Sequence, residues 1–321
     1  MTTPGYDSAG QNISGQFGMP LYGMAGLLPF TGNYFWVDET NGSDGNTGGP
    51  SDALKTIGAA YAQCVDGNSD VVLLTGTAHV SATLTWAKSK THLIGLSPNL
   101  NSQARSRISQ TGSTVFSPLV NVTGTECKFV NIGSFHGFGD ASAQVCWQDG
   151  GRNEYTNCLF GGMGNATAAA QAGGRSLKVT GTTGESTFIG CQIGLDTITR
   201  SAANASLEFA GGTPRNVFRK CIFPLLGSAA TPFFVIATGA AAMDRWQLFE
   251  DCSFINCLKS TSTQLTAAFS MTNASPGGLI LVQRSSLVGA TKWGDTNALA
   301  NTYVDGAPPT AATSGIAVNP A

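Results

Sequence analysis

The chain has 321 residues, enough for one large β domain or two ordinary ones. Its formal net charge is −2 and only 11% of its residues are charged, which excludes a nucleic-acid binder that works by electrostatic attraction. The N-terminus lacks the basic start and apolar core of a signal peptide, and no stretch has the roughly 18 apolar residues of a membrane span. We therefore expect a protein made in a cytoplasm, with no nucleic-acid or membrane partner and with reduced cysteines.

Residues 1–33 are predicted to form an extended N-terminal arm. They are apolar but interrupted by Gly and Pro, so they cannot easily form a core of their own. Two interpretations stay open, an arm that binds a partner and a cap over the end of the next domain. If the arm binds a partner, its contact residues are Met19, Leu21, Tyr22, Met24, Leu27, Leu28 and Phe30.

The next segment, 33–64, predicts a strand, a turn region rich in Gly, Asn and Asp, and a short helix. Ser51 is the expected N-cap of the helix, and its apolar face is Leu54, Ile57, Ala60 and Tyr61. The turn region 38–46 is rich in oxygen ligands but lacks the spacing of a twelve-residue calcium loop, so a plain turn is favoured over a calcium site. Strands are predicted to follow at 70–76 and 91–96.

An internal repeat of about thirty residues dominates the rest of the chain. A short motif recurs six times at separations of 26 to 33 residues, and its fourth position is Ile132, Cys158, Cys191, Cys221, Cys252 and Ser285. A second series of short apolar stretches lies between the copies, and most of them stop at a glycine, as strands do at turns. Each unit is therefore predicted to hold two recognisable strands and a third, weaker one. Helical repeats need longer 3.6-residue patterns and propeller blades need about forty residues, so the repeat predicts a parallel β-solenoid.

The repeat also predicts which side chains stack inside the solenoid. The structural core ladder is an aromatic column beside a cysteine column, made of Tyr155, Cys158, Phe188, Cys191, Phe218, Cys221, Phe249 and Cys252. Free cysteine behaves as a small hydrophobe, so a reduced stack is the favoured interpretation. A disulfide between neighbouring members remains an alternative, whereas a metal site is disfavoured because zinc groups cysteines around one ion and not along a line.

The opening of the repeat region resembles a known family. The stretches "YFWVDETNGSDGNTGG", "ALKTIGAAYA", "DVVLLTGTAHV" and "THLIGL" look like the start of pectin-lyase-like proteins. With the apolar arm, they resemble the β-helix structural proteins of tailed bacteriophages, of the capsid decoration type. The resemblance implies an all-β fold, a right-handed single-stranded parallel β-helix with a short N-terminal capping helix and an extended arm. We therefore predict an arm over 1–33, a β-helix domain over 34–295 and a C-terminal tail over 296–321.

An enzyme that cuts polysaccharide on this fold would need clustered carboxylates. In the aligned repeats the carboxylates fall at different positions, so no acidic ladder is predicted; they are Asp140, Asp149, Glu154, Glu185, Asp196 and Glu208. Glu250 and Asp251 are expected on opposite faces of one strand, beside Arg219, Lys220 and Arg284 of neighbouring coils. That arrangement predicts charge-matched ladders with a structural role. The three histidines have no zinc spacing, and no cofactor is expected.

These observations favour a non-enzymatic virion structural protein, a bacteriophage decoration or cement protein on the capsid surface. The arm would bind the major capsid protein lattice or a neighbouring subunit, and the resemblance implies self-association as a homotrimer. The alternative is a phage tailspike or another β-helix protein that binds or depolymerises host polysaccharide. A sugar-binding face would need aromatic residues in line, and the tryptophans at 86, 147, 246 and 293 share no coil position.

Overall fold

The computed structural model describes residues 31–97, 106–256 and 263–305, and the backbone alone of 99–100 and 103–104. All seven predicted arm contacts, from Met19 to Phe30, lie outside the described residues, as does Cys257.

Three parallel sheets wrap around a single core. The first sheet has ten strands: β1 (Tyr34–Asp38), β2 (Val71–Thr75), β5 (His92–Gly95), β10 (Lys128–Val130), β13 (Glu154–Thr156), β16 (Thr187–Ile189), β19 (Thr213–Arg219), β22 (Met243–Glu250), β25 (Gly278–Gln283) and β27 (Thr302–Val304). The second has eight: β3 (Thr77–Val80), β8 (Arg107–Gln110), β11 (Gly133–Phe135), β14 (Leu159–Gly161), β17 (Gln192–Ile193), β20 (Ile222–Leu225), β23 (Ser253–Asn256) and β26 (Ser286–Val288). The third has seven: β4 (Leu84–Trp86), β9 (Val120–Val122), β12 (Val145–Gly151), β15 (Arg175–Gly184), β18 (Ala205–Phe209), β21 (Phe233–Ala237) and β24 (Phe269–Met271). A short antiparallel pair, β6 (Asn99–Leu100) and β7 (Gln103–Ala104), leaves the stack after β5.

From β2 to β24 the chain visits the first, second and third sheets in that order, once per coil, and completes seven coils. This path confirms the predicted all-β parallel β-helix. With strands about 4.8 Å apart, the ten strands of the first sheet span roughly 43 Å along the stack.

The recurring motif covers the corner between the first two sheets and not a single strand. In "FEDCSF", Glu250 ends β22 and Ser253 begins β23, while Asp251 between them has φ 54°. Because of this left-handed residue, the expectation that Glu250 and Asp251 share one extended strand and point to opposite faces is wrong. Both carboxylates instead reach the same cation, Arg284, at 2.6 Å from Glu250 and 2.9 Å from Asp251.

The structure places the predicted aromatic column at the centre of the core. The rings of Tyr155, Phe188, Phe218 and Phe249 are stacked with centroids 4.7, 4.6 and 4.9 Å apart, and all four side chains are fully buried. Phe129 extends the column by one coil, 4.9 Å from Tyr155. Each ring lies in register with the ring of the next coil, so the strand pairing aligns the whole column.

The predicted cysteine column lies at the corner beside the aromatic rings. Cys158, Cys191, Cys221 and Cys252 are free and at most 3% exposed. Each thiol donates to a carbonyl of the preceding coil, for example from Cys191 Sγ to Tyr155 O at 3.5 Å. Burial raises the pKa of the Cys158 and Cys221 thiols well above the usual value, so these thiols are protonated packing groups.

A short helix, α1 (Ile57–Gln63), covers the first coil and buries Ile57 and Ala60. Its N-cap is Thr56, whose hydroxyl accepts from the Ala59 N–H at 3.1 Å, so the predicted cap at Ser51 is wrong. The Asp44 carboxylate accepts from the backbone N–H groups of Lys55 and Thr56. These bonds hold Lys55 and Thr56 outside the helix, so the helix begins at Ile57.

The far end of the stack continues past the predicted domain boundary at residue 295. Asp295 caps a one-turn helix, α3 (Thr296–Leu299), and β27 then pairs with β25 in the first sheet. The C-terminal tail therefore cannot begin at 296 as predicted. Another one-turn helix, α2 (Ala166–Ala169), lies in the loop after β14. No helix in the described ranges is long and apolar enough to cross a membrane.

Candidate functional site

An open groove of about 640 Å³ runs along the corner where the chain passes from the third sheet into the first. It extends from Ser69, just before β2, to Thr187 in β16. Its lining residues come from five successive coils, which corresponds to a length of roughly 19 Å. Three columns of side chains, one residue from each coil, form its walls and base.

A charged column of Lys90, Glu126, Arg152, Glu185 and Arg215 forms one wall, and its last member, Arg215, lies one coil beyond the groove. Each residue has a positive φ, between 47° and 63°, because the chain turns sharply at this corner. The backbone N–H of Glu126 donates to Arg152 O at 2.7 Å and that of Glu185 to Pro214 O at 2.7 Å, so the turns are stacked by hydrogen bonds. The side chains of the charged column project away from the core and alternate in sign.

Each carboxylate of the charged column is paired with a cation of a neighbouring coil. Glu126 lies 3.5 Å from Lys90, and Glu185 lies 3.3 Å from Arg152 and also contacts Arg215. The hydrogen bond from Arg215, followed by the charges of Arg215 and Arg152, lowers the pKa of the Glu185 carboxyl. The column thus consists of one ion pair, Lys90 with Glu126, and one triad in which Glu185 bonds to both Arg152 and Arg215. A carboxylate shared by two cations stabilises the stack more than an isolated exposed pair does.

The opposite wall is the outer face of the first sheet, where His92, Lys128 and Glu154 follow one another in adjacent strands. Lys128 Nζ lies 3.0 Å from Glu154. The backbone N–H of Lys128 donates to His92 Nδ1 at 3.0 Å, which assigns the proton of the neutral ring to Nε2. Burial, and then the charge of Lys128, lowers the pKa of His92 to about 4. His92 is therefore neutral at physiological pH.

A buried polar column begins at the base of the groove, at Cys127 and Asn153, and continues past its end. In this column a side-chain oxygen of each coil accepts a hydrogen bond from the backbone of the preceding coil. Asn153 Oδ1 accepts from Cys127 N at 2.9 Å, and Ser186 Oγ accepts from Asn153 N at 3.2 Å. Asn216 Oδ1 accepts from Ser186 N at 2.9 Å, and Gln247 Oε1 accepts from Asn216 N at 3.3 Å. The bonds repeat from coil to coil, so this column fixes the register of the corner.

Beneath this column lies Asp149, a fully buried carboxyl. Its oxygens accept from Asn153 Nδ2 at 2.8 Å, from the Tyr155 hydroxyl at 2.8 Å and from the Ser186 hydroxyl at 2.6 Å. Burial raises the pKa of Asp149, although the hydrogen bonds act in the opposite direction. Asp149 joins the two columns. Tyr155 belongs to the aromatic column and donates to the Asp149 carboxyl, which also accepts from Asn153 and Ser186 of the polar column.

The groove has the shape of a binding site but not the acid and base that hydrolysis of a glycosidic bond requires. That reaction needs two carboxyl groups, one of them with a raised pKa so that it can donate a proton. The groove carboxylates Glu126, Glu154 and Glu185 are all ion-paired, and Asp149 is buried below the base. Among the described residues, no group of three or more His, Cys, Asp or Glu side chains is arranged to hold a metal ion.

Sequence reasoning missed the charged column, although its signal is present. Lys90, Glu126, Arg152, Glu185 and Arg215 each stand three residues before the inward-facing residue of their coil, at Leu93, Phe129, Tyr155, Phe188 and Phe218. A search for acidic residues alone finds only every second member. A search for alternating sign at that position would have found the whole column.

The second ionic ladder, which the sequence did predict, lies at the other corner of the first sheet. Arg219 Nε lies 2.7 Å from Glu250, and Arg284 bonds to both Glu250 and Asp251. The hydrogen bonds of Arg284, and then of Arg219, lower the pKa of the Glu250 carboxyl. Ladders of alternating charge therefore lie at both corners of the first sheet, where its strands begin and where they end.

Comparison with known proteins shows the fold of the chain and nothing finer. No protein-family model matches the sequence, and no curated protein matches it. A pectate lyase structure aligns with a TM-score of 0.58 and 16% identity over 86% of this chain and 68% of its own. A pectin methylesterase from Aspergillus niger aligns with a TM-score of 0.51 and 17% identity over 86% of this chain and 82% of its own. A protein of Geobacillus virus E2, ORF18, aligns at a TM-score of 0.43, 12% identity, over 90% of this chain and 61% of its own.

Proposed function

We propose that the protein is a non-enzymatic virion structural protein, a decoration or cement protein that binds the major capsid protein of a bacteriophage. One observation carries the non-enzymatic part of the proposal: the carboxylates Glu126, Glu154 and Glu185 of the groove are each neutralised by a cation of an adjacent coil. Charges used in this way stabilise the stack and leave no free acid and base for chemistry on a sugar.

The capsid part of the proposal is supported by the resemblance to phage β-helix proteins and by the composition of the arm. Residues 1–30 contain one charged side chain, Asp7, and several large apolar ones. A segment of this kind gains free energy by burying its side chains against a protein surface. The solenoid then serves as a rigid body on the capsid, and self-association as a homotrimer would let three arms bind together.

Co-sedimentation with capsid shells tests the attachment. The shells are assembled from the major capsid protein of the phage whose genome encodes this chain. We expect the full chain to pellet with the shells and a chain that begins at Thr31 to stay in solution. The matched control is Arg219→Gln, which alters the solenoid surface and leaves the arm intact; it should pellet like the unmodified chain. Equal pelleting of the full and shortened chains would contradict attachment through the arm.

Binding of a polysaccharide is the second candidate, and the open shape of the groove favours it. The groove is polar, carries both signs of charge and runs roughly 19 Å along the stack, long enough for a few sugar units. Titration calorimetry with neutral and acidic oligosaccharides tests this candidate. Binding that disappears in Lys128→Gln and survives in Lys220→Gln, on the far corner of the first sheet, would favour it. Release of reducing ends in the same mixtures would contradict the non-enzymatic proposal.

A further inference from the structure

The outer face of the first sheet carries a separate apolar cluster at its N-terminal end. The cluster, here called the outer apolar patch, consists of Val71, Leu73, Ile94 and Val130, with the partly buried Tyr34, Trp36 and Leu96 packed against them. These side chains alternate along their strands with Val72, Leu74, Leu93 and Phe129 of the main core. They therefore point away from the core, yet the first four are at most 6% exposed.

One line of outward side chains is apolar without interruption through the first four strands. The strand register joins Trp36 to Leu73, then Ile94, then Val130. Along the same line the later strands place Thr156, Ile189, Arg219 and Glu250 on the surface. A line of outward side chains that is buried at one end and charged at the other indicates that a specific segment covers the apolar end.

Residues 31–33, where the described chain begins, lie beside this patch. The backbone N–H of Asn33 donates to Asp70 Oδ1 at 2.6 Å, and that of Val71 donates to Asn33 O at 2.8 Å. A Cβ at Gly32 would lie 2.5 Å from the backbone of Asn68 and Ser69, so glycine permits the close approach there. Residues 32 and 33 are thus held against the first coil. The next residue, Tyr34, already packs against the outer apolar patch.

Residues 19–30 match the outer apolar patch in length and chemistry. They contain no charged residue and carry Met19, Leu21, Tyr22, Met24, Leu27, Leu28 and Phe30. Twelve extended residues reach at most about 40 Å, whereas four strands span only about 14 Å. The segment can therefore fold back over the whole patch from its anchor at Gly32.

We propose that in the free protein residues 19–30 pack on the outer apolar patch of the same copy, as an intramolecular cover of the first sheet. The inference concerns the protein alone and does not depend on capsid attachment. If the same side chains also bind a capsid, attachment must compete with this packing, so the patch becomes exposed when the arm binds its partner.

Hydroxyl-radical footprinting with mass spectrometry tests the proposal on the full chain and on a chain that begins at Thr31. We expect oxidation of Trp36, Leu73, Ile94 and Val130 to rise several-fold in the shortened chain. Leu248 and Leu281 lie on the outer face of the same sheet at the far end and serve as internal controls that should not change. Unchanged oxidation of the outer apolar patch would overturn the proposal, because another segment, such as the β6–β7 excursion, would then be its cover.

A second variant keeps the test valid if the shortened chain does not fold. Leu27→Asp with Leu28→Asp in the full chain should raise oxidation of the same four residues, whereas Gln11→Asp with Asn12→Asp adds equal charge outside the segment and should not. A benzophenone amino acid at position 22 should cross-link to peptides of β2 or β5 within one chain. Cross-linked dimers would overturn the assignment to the same copy and indicate exchange of arms between copies.

Discussion

Buried polar side chains at the corner between the third and first sheets form hydrogen bonds with neighbouring coils. Asp149 is the centre of this network, since it accepts from side chains of two successive coils at Asn153, Tyr155 and Ser186. A buried acceptor of this kind holds its donors in place, and removing it leaves them without partners in a region that water does not reach.

Asp149→Ala is expected to lower the free energy of unfolding by about 2–4 kcal/mol, because three buried donors lose their acceptor. Urea denaturation followed by circular dichroism measures this difference. Asp149→Asn retains one acceptor oxygen and should lose less. The exposed Asp140→Ala provides a control and should leave the midpoint unchanged. A loss for Asp140→Ala equal to that for Asp149→Ala would contradict the assigned role.

His92 makes stability depend on pH. Its pKa in the folded protein is lowered to about 4 from the ordinary 6.5, so the unfolded chain binds the proton more tightly. Its contribution is therefore fully present above pH 6.5 and is lost as the pH falls toward 4.

Between pH 7 and pH 5 we expect His92→Gln to lose less unfolding free energy than the unmodified protein, by roughly 2 kcal/mol. Urea denaturation at both pH values provides the comparison. His79→Gln, at an exposed position, is the matched control and should follow the unmodified protein. Parallel losses in the unmodified protein and in His92→Gln would show that His92 does not titrate as described.

At the scale of elements, the strands of successive coils pair in a register that places equivalent side chains directly above one another. The aromatic column provides the largest continuous packing contact, with ring centroids 4.6 to 4.9 Å apart from Phe129 to Phe249. Stacking of this kind adds to the free energy gained by burying each ring.

Phe218→Ala should lower the free energy of unfolding by about 3–5 kcal/mol, since it opens a cavity between Phe188 and Phe249. Phe218→Leu fills most of that volume and should lose clearly less. Thermal and urea unfolding measure both variants. The adjacent Arg219→Ala, on the exposed side of the same strand, should have little effect. A small loss for Phe218→Ala would contradict a continuous core at this coil.

The sequence predicted the first and third sheets because their strands carry a recognisable apolar pattern and, in the third, a terminal glycine. The second sheet was only anticipated as a weaker third strand. Its strands are two to four residues long and follow the left-handed residue at once, as Ser253 follows Asp251, so they have no pattern of their own. The cap of α1 was misplaced because the Asp44 carboxylate, eleven residues away, competes for the backbone of Lys55.

At the scale of the whole molecule, the stack is a rigid rod with charged ladders along both edges of its first sheet. The repeat period was enough to predict this architecture, since each coil must return to the same register. The groove could not be predicted, because it arises where the charged column, the polar column and the outer face of the first sheet meet in space. Members such as Glu126 and Glu154 are ordinary surface residues in the sequence.

Electron cryomicroscopy of purified phage particles tests the central proposal most directly. The particles are those of the phage that, on our proposal, encodes this chain. We expect a rod roughly 43 Å long bound to the capsid lattice, with its first coil and its N-terminal arm toward the shell. A rod located on the tail, with the groove facing outward, would contradict the capsid assignment and favour the polysaccharide-binding alternative.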